Sequence, residues 1–302
     1  IRQVSQQICA SVLNIKFKNM ELYKYLRPER IDILENLKIR YTQACALNDP
    51  FESFPAVIQK NKEWYKRQFL KRIESEADQC DFSNAVKRKQ FVRARKRDFN
   101  NFYRCYTDEE WLFYQTQSVI LLDSVIEGYL SLSATNKNIL MWSHYAQNHE
   151  GFIIGFNKEH QYFDYGLMKV EYKDERPFLD PTQPGQDASL FYTKSTDWEY
   201  EEEYRKSTGF VDPIQLENGN TLLPFPEETP NKDDQSLYEV KLFDFPKESI
   251  SSIIFGWKSS PNLRVRIREQ LEKHGMGNVE LYKAVPHKYK YEMVVHKINN
   301  ET

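Results

Sequence analysis

A chain of 302 residues that is 40% hydrophobic and 14% aromatic can bury a real core, in one large domain or in one domain carrying an insertion. Its formal net charge of −2 offers no global attraction to nucleic acid or to an anionic membrane, so only a local patch could supply one. No apolar run reaches membrane-spanning length, so no membrane partner is expected, and there is no phosphate loop, GxGxxG, HExxH or GxSxG motif.

The four cysteines, Cys9, Cys45, Cys80 and Cys105, form no CxxC pair, and the histidines do not supply metal-ligand spacing near them. No metal site follows from them, a zinc deaminase is disfavoured, and a reducing cytoplasm is the plain expectation. The opening stretch IRQVSQQICASVLNIKFKN lacks a charged start before an apolar core, so a secretory signal is not expected there.

In chain order, MELYKYL (20–26) reads as an aromatic strand. Pro28 opens a helix with Ile31, Leu34 and Leu37 on its buried side, and ALNDPFES (46–53) is turn-rich. Residues 55–117 are charged, contain no glycine and repeat with helical period, with Val92, Phe99, Tyr103 and Tyr106 on one face, which predicts a helical insertion. Within it, Lys87, Arg88, Lys89, Arg93, Arg95, Lys96 and Arg97 form a basic run. It is either a solvated helix face or a phosphate-contacting patch, with Arg93, Arg95 and Arg97 as the candidate nucleic-acid contacts.

From 118 onward the pattern turns to strands. YLSLSAT (129–135) is one; NILMWSHYAQNHEGFIIGF reads as a helix, a turn at Gly151 and a strand over 152–156; LMKVEYK is another. Polar loops cover 174–190 and 211–236. YEVKLFDFP and ISSIIFG are strands, NLRVRIREQLEKHG is a helix stopped by Gly275, and VELYKAVP and YEMVVHKI close the sheet. The fold class is α+β: a mixed or antiparallel sheet in a single domain over 1–302, with the helical insertion at 55–117.

The chemistry-bearing stretch is WEYEEEYR (198–205). As one strand it puts Trp198, Tyr200 and Tyr204 on one side, and Glu201, Glu203 and Arg205 on the other, the two carboxylates roughly 7 Å apart at about 3.3 Å rise per residue. Three further elements mix aromatics with titratable groups at element ends: LYKYLRP, LNDPFE and MWSHYAQNHEGF. Each has a bland reading. Lys24 can be a surface strand residue. His144 and His149, five apart, do not share a helix face, and suit hydrogen-bonded structural roles. Asn48-Asp49-Pro50 can be a simple turn.

These four motifs, in this order, resemble the bacterial domain-of-unknown-function family 2971, whose marks stand here as Tyr23-Lys24-Tyr25, the 48–52 loop, the 142–152 helix and turn, and 198–205. The segment LYKYLRPERIDILENLKIRYTQA is, more weakly, similar to the opening of small bacterial ADP-ribosyltransferase-like domains. Lys24 then stands where a strand-borne histidine or arginine is usual, and Glu201-Glu202-Glu203 matches the Glu-x-Glu of the arginine-modifying branch. That resemblance implies an ADP-ribosyltransferase-like core and NAD as substrate. It implies an effector, toxin or anti-phage defence protein of the bacterial cytoplasm, with a protein or nucleic-acid acceptor left open.

On that resemblance Glu203, Glu201 and Lys24 are the catalytic candidates. Tyr23, Tyr25, Arg27, Trp142, His144, Tyr145 and His149 are NAD-contacting candidates, and Asn48, Asp49, Glu52, Trp198 and Arg205 complete the motifs. The residue types suit the chemistry. Cleaving nicotinamide from ribose builds positive charge that a carboxylate in a dry site stabilises. Aromatic faces hold the ring, and a cation meets the pyrophosphate. Two other classes remain: a non-catalytic nucleic-acid module using the basic run, and a carboxylate metal nuclease using Asp49, Glu52, Glu201 and Glu203.

Overall fold

The computed structural model describes residues 20–57, 60–179, 188–211, 214–215, 221–222, 231 and 233–298. The opening stretch, Cys9 and most of the 211–236 loop lie outside them. Among the described residues no helix is long and apolar enough to cross a membrane.

Strand β1 (Glu21–Leu26) leads through a 3-10 turn, Pro28–Ile31, into the short helix α1 (Asp32–Asn36). Proline stands in the turn's first position, where its missing N–H costs nothing, and Leu37 closes α1 in the left-handed region with φ 52°. Strands β2 (Lys38–Tyr41) and β3 (Ala56–Val57) follow, then α2 (Lys62–Gln79), α3 (Ala85–Lys96), α4 (Phe99–Cys105) and α5 (Glu109–Ile126). Asn61 and Asn84 cap α2 and α3 by accepting from backbone N–H groups of the first turn.

After α5 the chain runs through β4 (Glu127–Ser133), α6 (Ile139–His144), β5 (Phe152–Asn157), β6 (Leu167–Lys169), β7 (Glu171–Lys173), β8 (Phe178–Leu179) and β9 (Thr193–Ser195). It continues with β10 (Glu203–Gly209), β11 (Ile214–Gln215), β12 (Thr221–Leu222), β13 (Lys241–Asp244) and β14 (Ile250–Phe255). Helix α7 (Pro261–Lys273), β15 (Glu280–Pro286) and β16 (Met293–Lys297) end the described chain.

The architecture is α+β. Eight strands form one sheet in the order β16-β15-β14-β5-β1-β4-β10-β6. All neighbours are antiparallel except β14 and β15, which run parallel because α7 carries the crossover between them. Residues 152–156, FIIGF, are fully buried because both faces of the sheet are covered. On one face Leu22, Leu26, Leu130, Leu132, Ile154 and Phe255 pack beneath α1 and α7, with Ile33, Leu263 and Ile267. On the other, Tyr25, Ile153, Ile254 and Ala284 pack against Met141 and Trp142 of α6.

The helical segment differs from the expectation at its end. Strands were expected from 118, yet α5 runs to Ile126. Its buried hydroxyls are accommodated within the helix, since Thr116, Ser118 and Ser124 each donate back to the carbonyl four residues earlier. Helices α2 to α4 have an apolar cluster of their own, in which Phe69, Ile73, Ala77 and Val92 are buried and Phe99 and Phe102 pack against them.

The basic run lies on α3 and just beyond it, and part of its charge is already partnered. Arg88 bridges Glu74 (3.1 Å) and Asp78 (2.6 Å), and Arg95 bridges Glu76 (2.7 Å), all on α2. Arg95 is thus committed to Glu76, while Arg93 and Arg97 face solvent. Exposed pairs like these are screened by solvent and add little to stability.

Trp142 is the largest fully buried side chain; its ring meets Tyr25 edge-on at 5.3 Å and its Nε1 donates to the Asn136 carbonyl at 2.9 Å. Trp142→Ala is expected to cost about 3–5 kcal/mol in urea unfolding. A loss below about 1 kcal/mol would contradict this packing.

Candidate functional site

The cleft begins where the sheet is incomplete. Strand β1 pairs with β5 along its whole length, but with β4 at the single rung Tyr23–Ser133. The side chain of Lys24 reaches across the divergence, its Nζ donating to the Ser131 carbonyl at 2.8 Å. Beyond this gap a small cleft of about 80 Å³ is lined by Tyr23, Lys24, Tyr25, Asn48, Glu52, Ser131, Ser133, Tyr145, Lys194, Glu201 and Glu203, with Leu47, Leu132 and Met141 as its apolar lining.

The expectation of one strand for WEYEEEYR does not hold. Residues Thr196–Glu201 form a 3-10 helix, Glu202 turns the chain in the left-handed region (φ 46°), and β10 starts at Glu203. The turn is pinned from β4: the Ser133 hydroxyl donates to the Glu201 carbonyl (2.6 Å), and the Ala134 N–H donates to the Glu202 carbonyl (3.0 Å). Glu201 and Glu203 both enter the cleft, as expected, but through this reversal of the backbone rather than by strand alternation. Period-2 reading fails because a left-handed residue between two carboxylates leaves no sequence mark when it is a glutamate rather than glycine. Trp198 is half-buried beside Tyr200 in the neighbouring groove and is not a core anchor.

Lys194, from β9, is buried at the centre of the charges. Its Nζ lies 2.6 Å from Glu201 Oε2, 3.4 Å from Glu203 Oε2 and 3.8 Å from Glu52 Oε1, and 4.7 Å from the Trp198 ring centroid. Arg205, fully buried, grips Glu203 with Nε to Oε1 (2.9 Å) and Nη2 to Oε2 (3.0 Å), contacts Glu52 directly, and donates from Nη1 to the Phe191 carbonyl (2.6 Å). Tyr145 donates to Glu201 Oε1 at 2.5 Å, and Tyr172 accepts the Glu203 backbone N–H at 2.8 Å.

Electrostatics follow from this burial. The Glu203 carboxyl is pushed above its ordinary range by desolvation and by Glu201, with Lys194 opposing. Burial pulls Lys194 down, but Glu203 and Glu201 overcome it and leave the ammonium above its usual value. Desolvation lowers Lys24 to about 8, with Glu203 opposing, and lowers Arg205 to about 9, still cationic at neutral pH. The Tyr23, Tyr25 and Tyr145 phenols are all pushed up, chiefly by burial, so they act as neutral donors.

Of the residues singled out in the sequence, Tyr23, Lys24, Tyr25, Asn48, Glu52, Tyr145, Glu201 and Glu203 line the cleft, and Arg205 lies behind it. Asp49 is buried one step back, where its Oδ1 accepts the Phe51 N–H at 2.9 Å, a turn contact. Four others are not brought to the cleft. Arg27 projects into solvent at the end of β1, and His144 is exposed on α6. Trp142 is sealed in the core. His149 stacks on Trp142 (6.1 Å, 8°) in a left-handed turn (φ 71°), where its backbone bonds Trp142 and Lys258.

Lys194, Ser131 and Ser133 carry the site equally, yet the sequence reading assigned them nothing. Their signal was present: YLSLSAT places two serines on one strand face between buried leucines, and Lys194 opens KSTDWEYEEEYR.

Removing Lys194 leaves buried Glu201 without its cation, while Glu203 keeps Arg205, so Lys194→Met is expected to cost about 3–5 kcal/mol by urea unfolding. Adding Glu201→Gln to that variant should recover part of the loss; simple additivity would contradict the shared ion network. Lys24 gives a pH test. Its folded value of about 8 lies below the ordinary 10.5, so between these the unfolded chain holds a proton that the folded one lacks, and wild-type stability gains with pH. The stability of wild type relative to Lys24→Met should rise from pH 8 to 10.5 and stay flat below 8; a difference independent of pH would refute the assignment.

Against protein families, residues 141–206 match the model described as Protein of unknown function (DUF2971), a segment holding the α6 motif and the whole Glu201–Glu203 turn. Among curated proteins and among solved structures, none matches the chain significantly. Over residues 141–206 the chain is therefore similar to the DUF2971 family.

Proposed function

We propose that the cleft cleaves the N-glycosidic bond of NAD and passes ADP-ribose to an acceptor, an ADP-ribosyltransferase-like activity. One observation carries this reading: Lys24, Tyr145, Glu201 and Glu203, drawn from three separate segments, line the same small cleft. The cleft suits the nicotinamide-ribose end of such a substrate. Tyr23 and Tyr145 offer part-exposed rings, Lys24 offers an ammonium at the wall, and Asn48 offers an exposed amide at the mouth.

In the reaction the bond between ribose carbon and nicotinamide nitrogen breaks and its electron pair leaves with the nitrogen. Positive charge grows on the sugar, the acceptor or water attacks, and the acceptor's proton is released. The protein's part is electrostatic. Lys194 opposes the effect of burial on Glu203, which on its own favours the protonated form. The two carboxylates are not equivalent. Glu203 meets Arg205 through both oxygens and Lys194 besides. Each oxygen of Glu201 accepts one protein donor, from Tyr145 or Lys194, and keeps lone-pair capacity for a ribose hydroxyl. Glu201 is therefore the group that touches substrate, and Glu203 holds the cations in place.

The nuclease reading is weaker on physical grounds. Lys194 and Arg205 already stand among Glu52, Glu201 and Glu203 where a divalent ion would have to sit, and among the described residues no group of three metal-ligating side chains is placed to hold one.

Glu201→Gln preserves shape and removes charge. It should lower kcat for nicotinamide release about 10²–10³-fold with KM little changed, because the carboxylate acts mainly as charge develops. Nicotinamide release by chromatography and NAD binding by calorimetry check this. A parent protein with no affinity for NAD, or a Gln variant with full turnover, would sink the proposal.

A further inference from the structure

The hairpin joining β15 and β16 ends in the tip His287-Lys288-Tyr289-Lys290-Tyr291-Glu292. Tyr289 is 81% exposed and Tyr291 99%, whereas most rings of this protein are packed. The tip is nonetheless built. His287 Nδ1 accepts the N–H groups of Tyr289 (3.0 Å) and Lys290 (2.9 Å), and the His287 N–H donates to the Glu292 carbonyl (2.9 Å). Lys288 Nζ stands 5.2 Å from the Tyr289 ring centroid. Neither Lys288 nor Lys290 forms an ion pair among the described residues, unlike Arg88 and Arg95 of the basic run.

The tip is fastened to the cleft wall. The Met293 N–H donates to the carbonyl of Lys137 (3.1 Å), whose own side chain is exposed. The 134–138 segment that carries Lys137 follows directly from Ser133 of the cleft, and its Thr135 carbonyl accepts the Tyr25 hydroxyl (2.9 Å).

We propose that this tip is a contact for single-stranded nucleic acid, with Tyr289 and Tyr291 stacking on bases and Lys288, Lys290 and Lys137 meeting phosphates. Alternating cations and water-exposed rings on an ordered turn complement a strand that offers a charge and a flat face at every nucleotide. A duplex hides those faces, so single strands are preferred. The tip presents no fixed donor and acceptor pattern for base edges, so recognition is independent of sequence. The proposal does not depend on what the cleft cleaves.

The test is fluorescence anisotropy of a labelled oligothymidine of about 15 nucleotides, a length within the reach of such surfaces. Wild type should bind at low salt with a log–log salt slope of about −1.4 to −2, as two or three phosphate contacts require, and Lys288→Gln with Lys290→Gln should flatten it by about 1.4. Tyr289→Ala with Tyr291→Ala should weaken binding by about tenfold or more with the slope retained. All four side chains are outside the core, so unchanged melting temperatures show that the fold is not the cause. Absence of wild-type binding at low salt, equal binding by the tyrosine variant, equal affinity for a duplex of the same length, or binding to phosphatidylserine vesicles in place of the oligonucleotide would each overturn the proposal.

Discussion

The Lys194 ammonium is the point on which the candidate site depends. The segments that meet there cannot hold their own shape. The 48–52 loop is a run of turns, β9 is three residues paired only with three-residue β7, and Thr196–Glu201 is a 3-10 helix ended by a strained glutamate. What joins them is charge: Glu52 from the loop, Lys194 from β9, Glu201 from the turn, and Glu203 and Arg205 from β10. Burying one such ion costs several kcal/mol after relaxation, and attraction offsets that only when each charge has several well-placed partners. Here Lys194 has three carboxylates within 4 Å and Arg205 has two, so the charges act as one set and not as separate pairs, with Glu52 the member whose oxygens lack hydrogen bonds.

The sheet that carries that network is packed by apolar clusters on both faces. Tyr25 is buried by Trp142 from one side while its hydroxyl is held by the Thr135 carbonyl, so its ring position is set by packing and its polar end by a single bond. The same two-sided support extends to β4, where Leu130 and Leu132 enter one core as Ser131 and Ser133 turn to the cleft. The cleft is thus the place where a buried sheet gives up backbone pairing between β1 and β4, and an amine from Lys24 replaces a missing rung by bonding the Ser131 carbonyl.

The elements with strong local signals were legible from residues alone. Helix α7 starts at Pro261 after the Ser260 cap and stops before Gly275 (φ 66°), as its punctuation requires, and β5, β14, β15 and β16 fall within the strands read from their apolar runs. The members of the site on β1 were also legible, since Tyr23, Lys24 and Tyr25 stand together as a motif, although alternation sets Lys24 opposite the two tyrosines. Two things were not. Helix α5 and its hydroxyl back-bonds looked strand-like because β-branched and polar residues carry little periodicity of their own. The turn at Glu202 was invisible because its left-handed backbone is imposed by Ser133 and Ala134, more than sixty residues away. Strand alternation pointed Glu201 and Glu203 to one cleft for a geometric reason that does not operate, and Lys194 was missed because a lysine's burial is decided by its partners and not by its neighbours in the chain.

The unequal surroundings of Glu201 and Glu203 then follow from topology. Glu203 is the first residue of β10, in register with Ser133 and next but one to Arg205, so its side chain shares a strand face with the guanidinium that grips it. Glu201 precedes the left-handed turn, outside the ladder, and meets Tyr145 and Lys194 from either side of the opening. A carboxylate inside a ladder is fixed by its strand neighbour and is short of free lone pairs. One placed just before the ladder is oriented by groups on other elements and still faces the open space. A single reversal of the backbone thus sorts two chemically identical side chains two residues apart into a support and a group free to meet a ligand.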